Sequence, residues 1–235
     1  MRIGSDYPKI RWETNDWVFL EPNALIGDII LFSVSMVIGY MIYQRKEQPF
    51  YLWWSRFFFC FGLAFLCGGL GHFLFEYTGL LGKYPSWYLG MVATFFIERA
   101  MIELQKLPQR ALWKTIFGIK LLVGILIESY LLTDLTVHDD VSKGLIVPTL
   151  HTILGLSFTL GYLGYVYQKK IDDAFKWLWW SALILLPSAV FQVLKINIHP
   201  WFDRNDVSHV LLVVSLVMYY QGIKNWNGKT LTLNA

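Results

Sequence analysis

Long apolar runs alternate with short polar joints along the chain. Seven windows hold close to the ~20 mostly apolar residues that a helix needs to cross a bilayer. They are roughly Ala24–Tyr43, Leu52–Phe75, Trp87–Leu104, Ala111–Leu132, Leu145–Tyr167, Phe175–Leu194 and Val207–Ile223. Glu98, Arg99 and Glu103 interrupt the third window. On a helix Arg99 and Glu103 stand at i and i+4 and pair along one face. Pro187 lies inside the sixth window and predicts a kink there. Pro148 lies near the start of the fifth, where a proline costs little. The pattern predicts an all-α membrane protein. It reads as a single seven-helix transmembrane domain over residues 1–235, with residues 1–23 as an acidic segment packing at the outer end.

Composition agrees with the pattern. The chain is 55% hydrophobic and 17% aromatic, with 16% charged residues, whereas soluble domains carry about a quarter charged. A net charge of +3, spread along the chain, gives no basis for binding nucleic acid. Cys60 and Cys67 share one apolar run and read as helix thiols, not as a disulfide framework. No cleavable signal peptide is visible at the start.

Basic residues set the expected orientation. Arg45, Lys46, Lys106, Arg110, Lys169, Lys170, Lys176, Lys224 and Lys229 collect on one side. Arg2, Lys9, Arg11, Lys83, Lys143 and Arg204 collect on the other. The first side is expected to be cytoplasmic, which puts the N-terminus outside (periplasm or organelle lumen) and the C-terminus inside. With that orientation His72, His138, His151, His199 and His209 all fall in the outer half, as do Asp28, Glu76, Glu128, Asp203 and Asp206. Ionisable groups at such depth are expensive and usually have a partner or a task.

Two stretches carry candidate chemistry. The first joins His72, preceded by Gly68, Gly69 and Gly71, to Asp203–His209, where Asn205 and Asp206 share a helix face with His209. Imidazole and carboxylate on neighbouring helices, with an open coordination position, meet what a catalytic zinc requires. Hydrogen-bonded packing between helices is the alternative. Glu76, four residues after His72, would orient that imidazole or stand as an interfacial charge. His151 reads as a hydrogen-bonded interior residue or as part of the site. The second stretch runs from Asn15 to Asn23 and on to Asp28. Asp16, Glu21, Asn23 and Asp28, with the Trp17 carbonyl, are hard oxygen donors. A solvated acidic segment is the alternative.

These features together resemble the CREST superfamily of seven-span membrane hydrolases, which includes alkaline ceramidases and the progestin/adiponectin receptors. The resemblance implies zinc held by one histidine of the second span and two of the seventh. His72 matches the first and His209 the last. The remaining place falls on Asn205, so Asp206 or His199 would have to substitute. The family's serine four residues before the second-span histidine falls on Gly68, so an oxyanion-stabilising hydroxyl is missing or comes from elsewhere. The Asp16–Asp28 stretch resembles the calcium run of alkaline ceramidases, with Glu21 two residues further from Trp17. The implied function is a zinc-dependent hydrolase cleaving an amide or ester in a ceramide-like, sphingolipid-like lipid taken from the bilayer. Asp206 or Glu76 would be the acid–base group, with Gly68 and His151 near the substrate. The alternative is a receptor-like or lipid-binding seven-span protein with a structural metal. A retinal protein needs a lysine deep in the last span, and Val207–Gly222 has none.

Overall fold

The computed structural model describes residues 9–134 and 141–224, together with 226 and 228. His138, Arg2 and Lys229 lie outside the described residues. Prolines open the first four rods: Pro22, Pro49, Pro85 and Pro108 each occupy a first helical turn, where the missing N–H is not needed. These rods are α1 (Pro22–Tyr43), α2 (Pro49–Phe73), α3 (Tyr84–Ile102) and α4 (Leu107–Leu131). Three more follow: α5 (Ile146–Lys170), α6 (Asp173–Gln192) and α7 (Arg204–Ile223). A π-helical segment, Ser157–Leu163, interrupts α5. A break at Leu185, two residues before Pro187, divides α6.

Five rods, α1, α2, α5, α6 and α7, are long and apolar enough to cross a membrane. That is fewer than the seven windows suggest. Helices α3 and α4 are of similar length but carry more polar and charged positions, among them Glu98, Arg99, Arg110, Lys114, Lys120 and Glu128. Much of this polarity points inward. Glu98 and Glu128 are fully buried, and Lys120 turns its ammonium onto Glu98.

Helix α1 packs along α2, α2 along α3, and α7 against α1 and α6. The main core lies where these rods meet, with Trp54, Phe58, Ile97, Met101, Tyr167, Phe175 and Tyr219 buried together. Beyond the other end of the bundle the chain forms a strand pair that the sequence pattern does not announce. Strand β1 (Arg11–Glu13) runs antiparallel to β2 (Val18–Leu20), with Trp12 opposite Phe19. Phe19 stacks on Phe73 at the end of α2, with ring centroids 4.4 Å apart. The Val18 N–H donates to the Tyr77 hydroxyl at 2.7 Å. The hairpin is thereby fixed over the last turn of α2, and the starts of α1, α3 and α7 gather at this same hairpin end.

Candidate functional site: a polar cluster at the hairpin end

Glu21 joins β2 to α1 and organises the cluster. It is buried and sits in the left-handed region, at φ 49 and ψ 53, a conformation a non-glycine residue rarely takes. Such outliers cost about 1–3 kcal/mol and persist where their surroundings over-determine them. Glu21 stands at the N-cap of α1 but its side chain makes no capping bond. It is turned sideways, with Oε2 2.8 Å from His72 Nδ1 and Oε1 2.6 Å from Lys9 Nζ. Lys9 also reaches Asp203 Oδ2 at 2.8 Å. Burial opposes the charge on Glu21, but His72 and Lys9 hold its carboxyl well below the usual carboxylate range. Burial likewise opposes the charge on Lys9, and the carboxylates of Glu21 and Asp203 outweigh it and raise the ammonium above its ordinary value.

A second carboxylate–imidazole pair lies beside the first. His209 Nε2 stands 3.3 Å from Asp28 Oδ1. The pair exists because residue 27 is glycine: a Cβ there would lie 2.3 Å from His209 Nδ1. Asp206 has a different occupation. Its Oδ2 accepts the Asp203 N–H at 2.9 Å and the Asn23 side-chain amide at 2.8 Å. With Asp203 it forms a capping box at the start of α7, which satisfies backbone donors that a helix start leaves open.

Lys83 completes the cluster. It ends a 3₁₀ turn, Gly79–Lys83, that docks on α2 at Gly71, where a Cβ would stand 2.3 Å from the Gly82 carbonyl oxygen. The Lys83 side chain is buried, and its ammonium has no hydrogen-bond partner among the described residues. Burial pushes it down to about 7, against the pull of Glu21 and Asp28. Ser86, one turn on, lies 3.8 Å through its Oγ from the place a Cβ on Gly68 would take. A hydroxyl therefore stands next to Gly68 from a neighbouring helix, and it donates to the Lys83 carbonyl at 2.9 Å.

The two sequence constellations thus merge in part. Glu21, Asn23 and Asp28 from the first gather with His72, Asp206 and His209 from the second. Asp16 and Trp17 remain exposed on the hairpin turn. Glu76 is exposed and pairs with Arg11 at 3.2 Å, so Glu21, not Glu76, partners the His72 ring. Helix α2 ends at Phe73, and Glu76 belongs to a separate short turn, Phe75–Thr78, so the i, i+4 spacing from His72 does not hold. His199 is exposed in the loop before α7 and accepts the Trp201 N–H at 3.1 Å. His151 lies elsewhere, against Gly124 of α4. Lys9 and Lys83, which the sequence offers only among the basic residues that set orientation, are site residues that sequence reasoning missed.

A zinc ion requires three or more converging donors. Among the described residues no three His, Cys, Asp or Glu side chains converge in that way. The contacts give the reason. His72 faces Glu21, His209 faces Asp28, Asp206 caps α7, and Lys9 supplies the positive charge between Glu21 and Asp203. As arranged, these donors are engaged with one another and are not gathered on one point. Of the five residues set out as oxygen donors, Asp16 and Trp17 are exposed, whereas Glu21, Asn23 and Asp28 are buried.

The chain belongs to DUF6962, a family of unknown function, whose family model matches residues 24–227. No curated protein and no solved structure matches the chain.

Proposed function

We propose that this member of DUF6962 is a membrane-embedded hydrolase of an amphiphilic lipid, cleaving an amide or ester of the ceramide-like kind, with the hairpin-end cluster as its acid–base site toward the outer face. The observation that carries the reading is the Glu21–His72 pair, with the Lys83 ammonium, which has no hydrogen-bond partner among the described residues, beside it. A buried carboxylate on Nδ1 fixes the imidazole tautomer and leaves Nε2 for chemistry, the arrangement by which a histidine serves as general base. His72 keeps 30% of its side chain exposed, and the scheme places the attacking water against that part of the ring. In this scheme Nε2 takes the proton of that water as its oxygen attacks the carbonyl carbon. Lys83 stabilises the oxyanion as charge develops on the carbonyl oxygen. The imidazolium, held by Glu21, then returns the proton to the leaving amine or alkoxide.

The surroundings suit a lipid. An apolar groove of about 320 Å³ lies between α1 and α7, lined by Ser33, Val34, Val37, Ile38, Val217 and Tyr220. These are the helices that carry Asp28 and His209. Ile38 is ten residues beyond Asp28, so the groove floor lies about 15 Å below the pair at the helical rise. That depth is about half of the ~30 Å hydrocarbon core, one leaflet's share. The test is turnover of a ceramide-like amide and its ester analogue by purified protein in lipid bilayers. His72→Ala is expected to lose about 10²–10⁴-fold, the usual contribution of a positioned general base. Turnover unchanged in His72→Ala would remove the reading.

A non-enzymatic, lipid-binding role is the second reading. The observation that favours it is the Lys9 bridge between Glu21 and Asp203, which ties the hairpin to the starts of α1 and α7 whether or not chemistry occurs. Saturable thermal stabilisation by lipid without any turnover would select it.

A further inference from the structure

A second group of ionisable side chains lies between α3, α4 and α5, away from the hairpin-end cluster. On α4, Lys120, Gly124 and Glu128 follow one another at four-residue steps and share a face. Lys120 Nζ meets Glu98 Oε1 of α3 at 2.5 Å and donates to the His151 carbonyl of α5 at 3.0 Å. The His151 ring lies over Gly124, where a Cβ would stand 3.2 Å from its Cδ2. Thr94 and Thr152 share a hydroxyl contact at 3.1 Å beside them. At Gly155 a Cβ would stand 2.7 Å from Glu98 Oε1, so a glycine there lets α5 close on the carboxylate.

Two facts set this group apart from packing. Glu98 and Glu128 are 0% exposed and His151 5%. Among the described residues, neither Glu128 oxygen and neither His151 ring nitrogen has a hydrogen-bond partner. Leaving such groups unsatisfied in a low-dielectric interior is costly, and chains of Glu and His inside membrane bundles carry protons. The Lys120 ammonium already occupies the place a metal cation would take beside Glu98, so the exchangeable species is the proton.

The two ends of the group differ. Glu128 is in the last turn of α4, next to Ser129, whose hydroxyl meets that of Tyr88 at 2.8 Å in an exposed pair. Toward the opposite end three aromatic rings pack together. Trp113 stands 5.5 Å from Phe117 and 4.5 Å from Phe158, centroid to centroid. Along α4, Trp113 and Phe117 lie between Lys120 and Arg110, which pairs with Glu103 at 2.6 Å. Phe158 belongs to the π segment of α5, and π segments recur at functional sites.

We propose that the cleft between α3, α4 and α5 is a proton-uptake site, filled from the hairpin end through Glu128 and His151 to the Glu98–Lys120 pair and sealed on the other side by Trp113, Phe117 and Phe158. One proton from water converts the Glu128 carboxylate to the acid. His151, which no hydrogen bond joins to Glu128 in this arrangement, is reached by side-chain rotation or through water, accepts the proton on one ring nitrogen and releases one from the other. Glu98 ends as the acid, and Lys120 keeps its own proton and loses its counter-charge. The process needs no second reactant.

The experiment uses the full chain in liposomes. An infrared difference spectrum between two bulk pH values is expected to show a protonated-carboxyl carbonyl band that shifts in heavy water. The band should lose intensity in Glu128→Gln and again in Glu98→Gln. No such band in the wild type, or a band unchanged in both variants, overturns the proposal. In vesicles loaded with a pH dye, Phe117→Ala is expected to acidify faster than the wild type under an inward proton gradient, and adding Glu98→Gln should abolish the gain. A gain that survives Glu98→Gln, or no gain in a Phe117→Ala variant that keeps its cooperative thermal transition, also overturns it. Because neither readout involves lipid turnover, failure here leaves the hydrolase reading to its own assay.

Discussion

Glu21→Gln isolates the role of one buried charge without changing volume. In the native protein this carboxylate meets His72 at 2.8 Å and Lys9 at 2.6 Å. Removing one partner of a buried ion pair typically costs about 3–5 kcal/mol, because the remaining charge stays buried. Lys9 keeps Asp203 at 2.8 Å, and the amide oxygen still accepts a hydrogen bond, so the low end, about 3 kcal/mol, applies. For a chain of this size each kcal/mol moves the midpoint by about 2–4 °C, which gives a fall of about 6–12 °C. The pH dependence adds a signature. The folded carboxyl lies below its ordinary value, so its contribution is present above the unfolded carboxylate range and is lost as pH falls through the depressed folded value. The stability of Glu21→Gln should therefore fall less steeply with acid than that of the wild type, the two curves converging at low pH. Thermal unfolding followed by circular dichroism in detergent, over a pH series, measures both effects. A midpoint within about 2 °C of wild type at neutral pH, worth no more than about 1 kcal/mol, would refute the reasoning that Glu21 organises the cluster.

Lys83→Met removes the proposed oxyanion partner and should lower turnover by about 10²–10³-fold, as loss of one oxyanion donor does. The wild-type rate should fall as pH rises through about 7, where the buried Lys83 ammonium is lost, and Lys83→Arg should move that limb upward because a guanidinium stays charged. Between about 7 and the ordinary lysine value the unfolded chain binds the extra proton, so wild-type stability gains a rising term there that Lys83→Met lacks; a pH series of unfolding midpoints reads it. Gly27→Ala would force a Cβ into the space of His209 Nδ1, 2.3 Å away; overpacking of this kind costs about 1–3 kcal/mol in thermal unfolding. Elemental analysis of protein purified without chelator should find well under one zinc per chain, since the donors are engaged with one another; stoichiometric zinc lost in His72→Ala would reverse that.

Periodicity and length made the apolar rods legible, along with the break near Pro187 and the Arg99–Glu103 pair, whose charged atoms stand 3.9 Å apart. Helices α3 and α4 strained that reading because several of their charged groups, Glu98 and Glu128 among them, are buried, and a linear hydropathy window cannot tell an inward charge from an outward one. The histidines His72 and His209 stood out by their depth, but their partners did not. Nearness in sequence favoured Glu76 for His72, yet α2 ends at Phe73 and Glu76 swings out to Arg11. Glu21, 51 residues away, takes the place. Its carboxylate was visible, but only as an oxygen ligand among Asp16, Asn23 and Asp28, because the strand pair that turns it inward has only three residues on each side. Asp206 carries a signal that chemistry and helix capping share. Asp203 and Asp206 have the spacing of a capping box, which explains their contacts without a metal. Lys83 had the weakest signal. Only the close fit of Gly82 on Gly71 delivers it to the cluster, and that contact bridges separate segments.

The measurement that tests the central claim most directly is hydrolysis of a ceramide-like amide by the purified chain in bilayers, with Glu21→Gln, His72→Ala and Lys83→Met beside the wild type and a chelator arm for each. The expected result is wild-type turnover that persists under chelation and falls in all three variants. Absence of turnover in the folded wild type, or turnover abolished by chelation and restored by zinc, would contradict it.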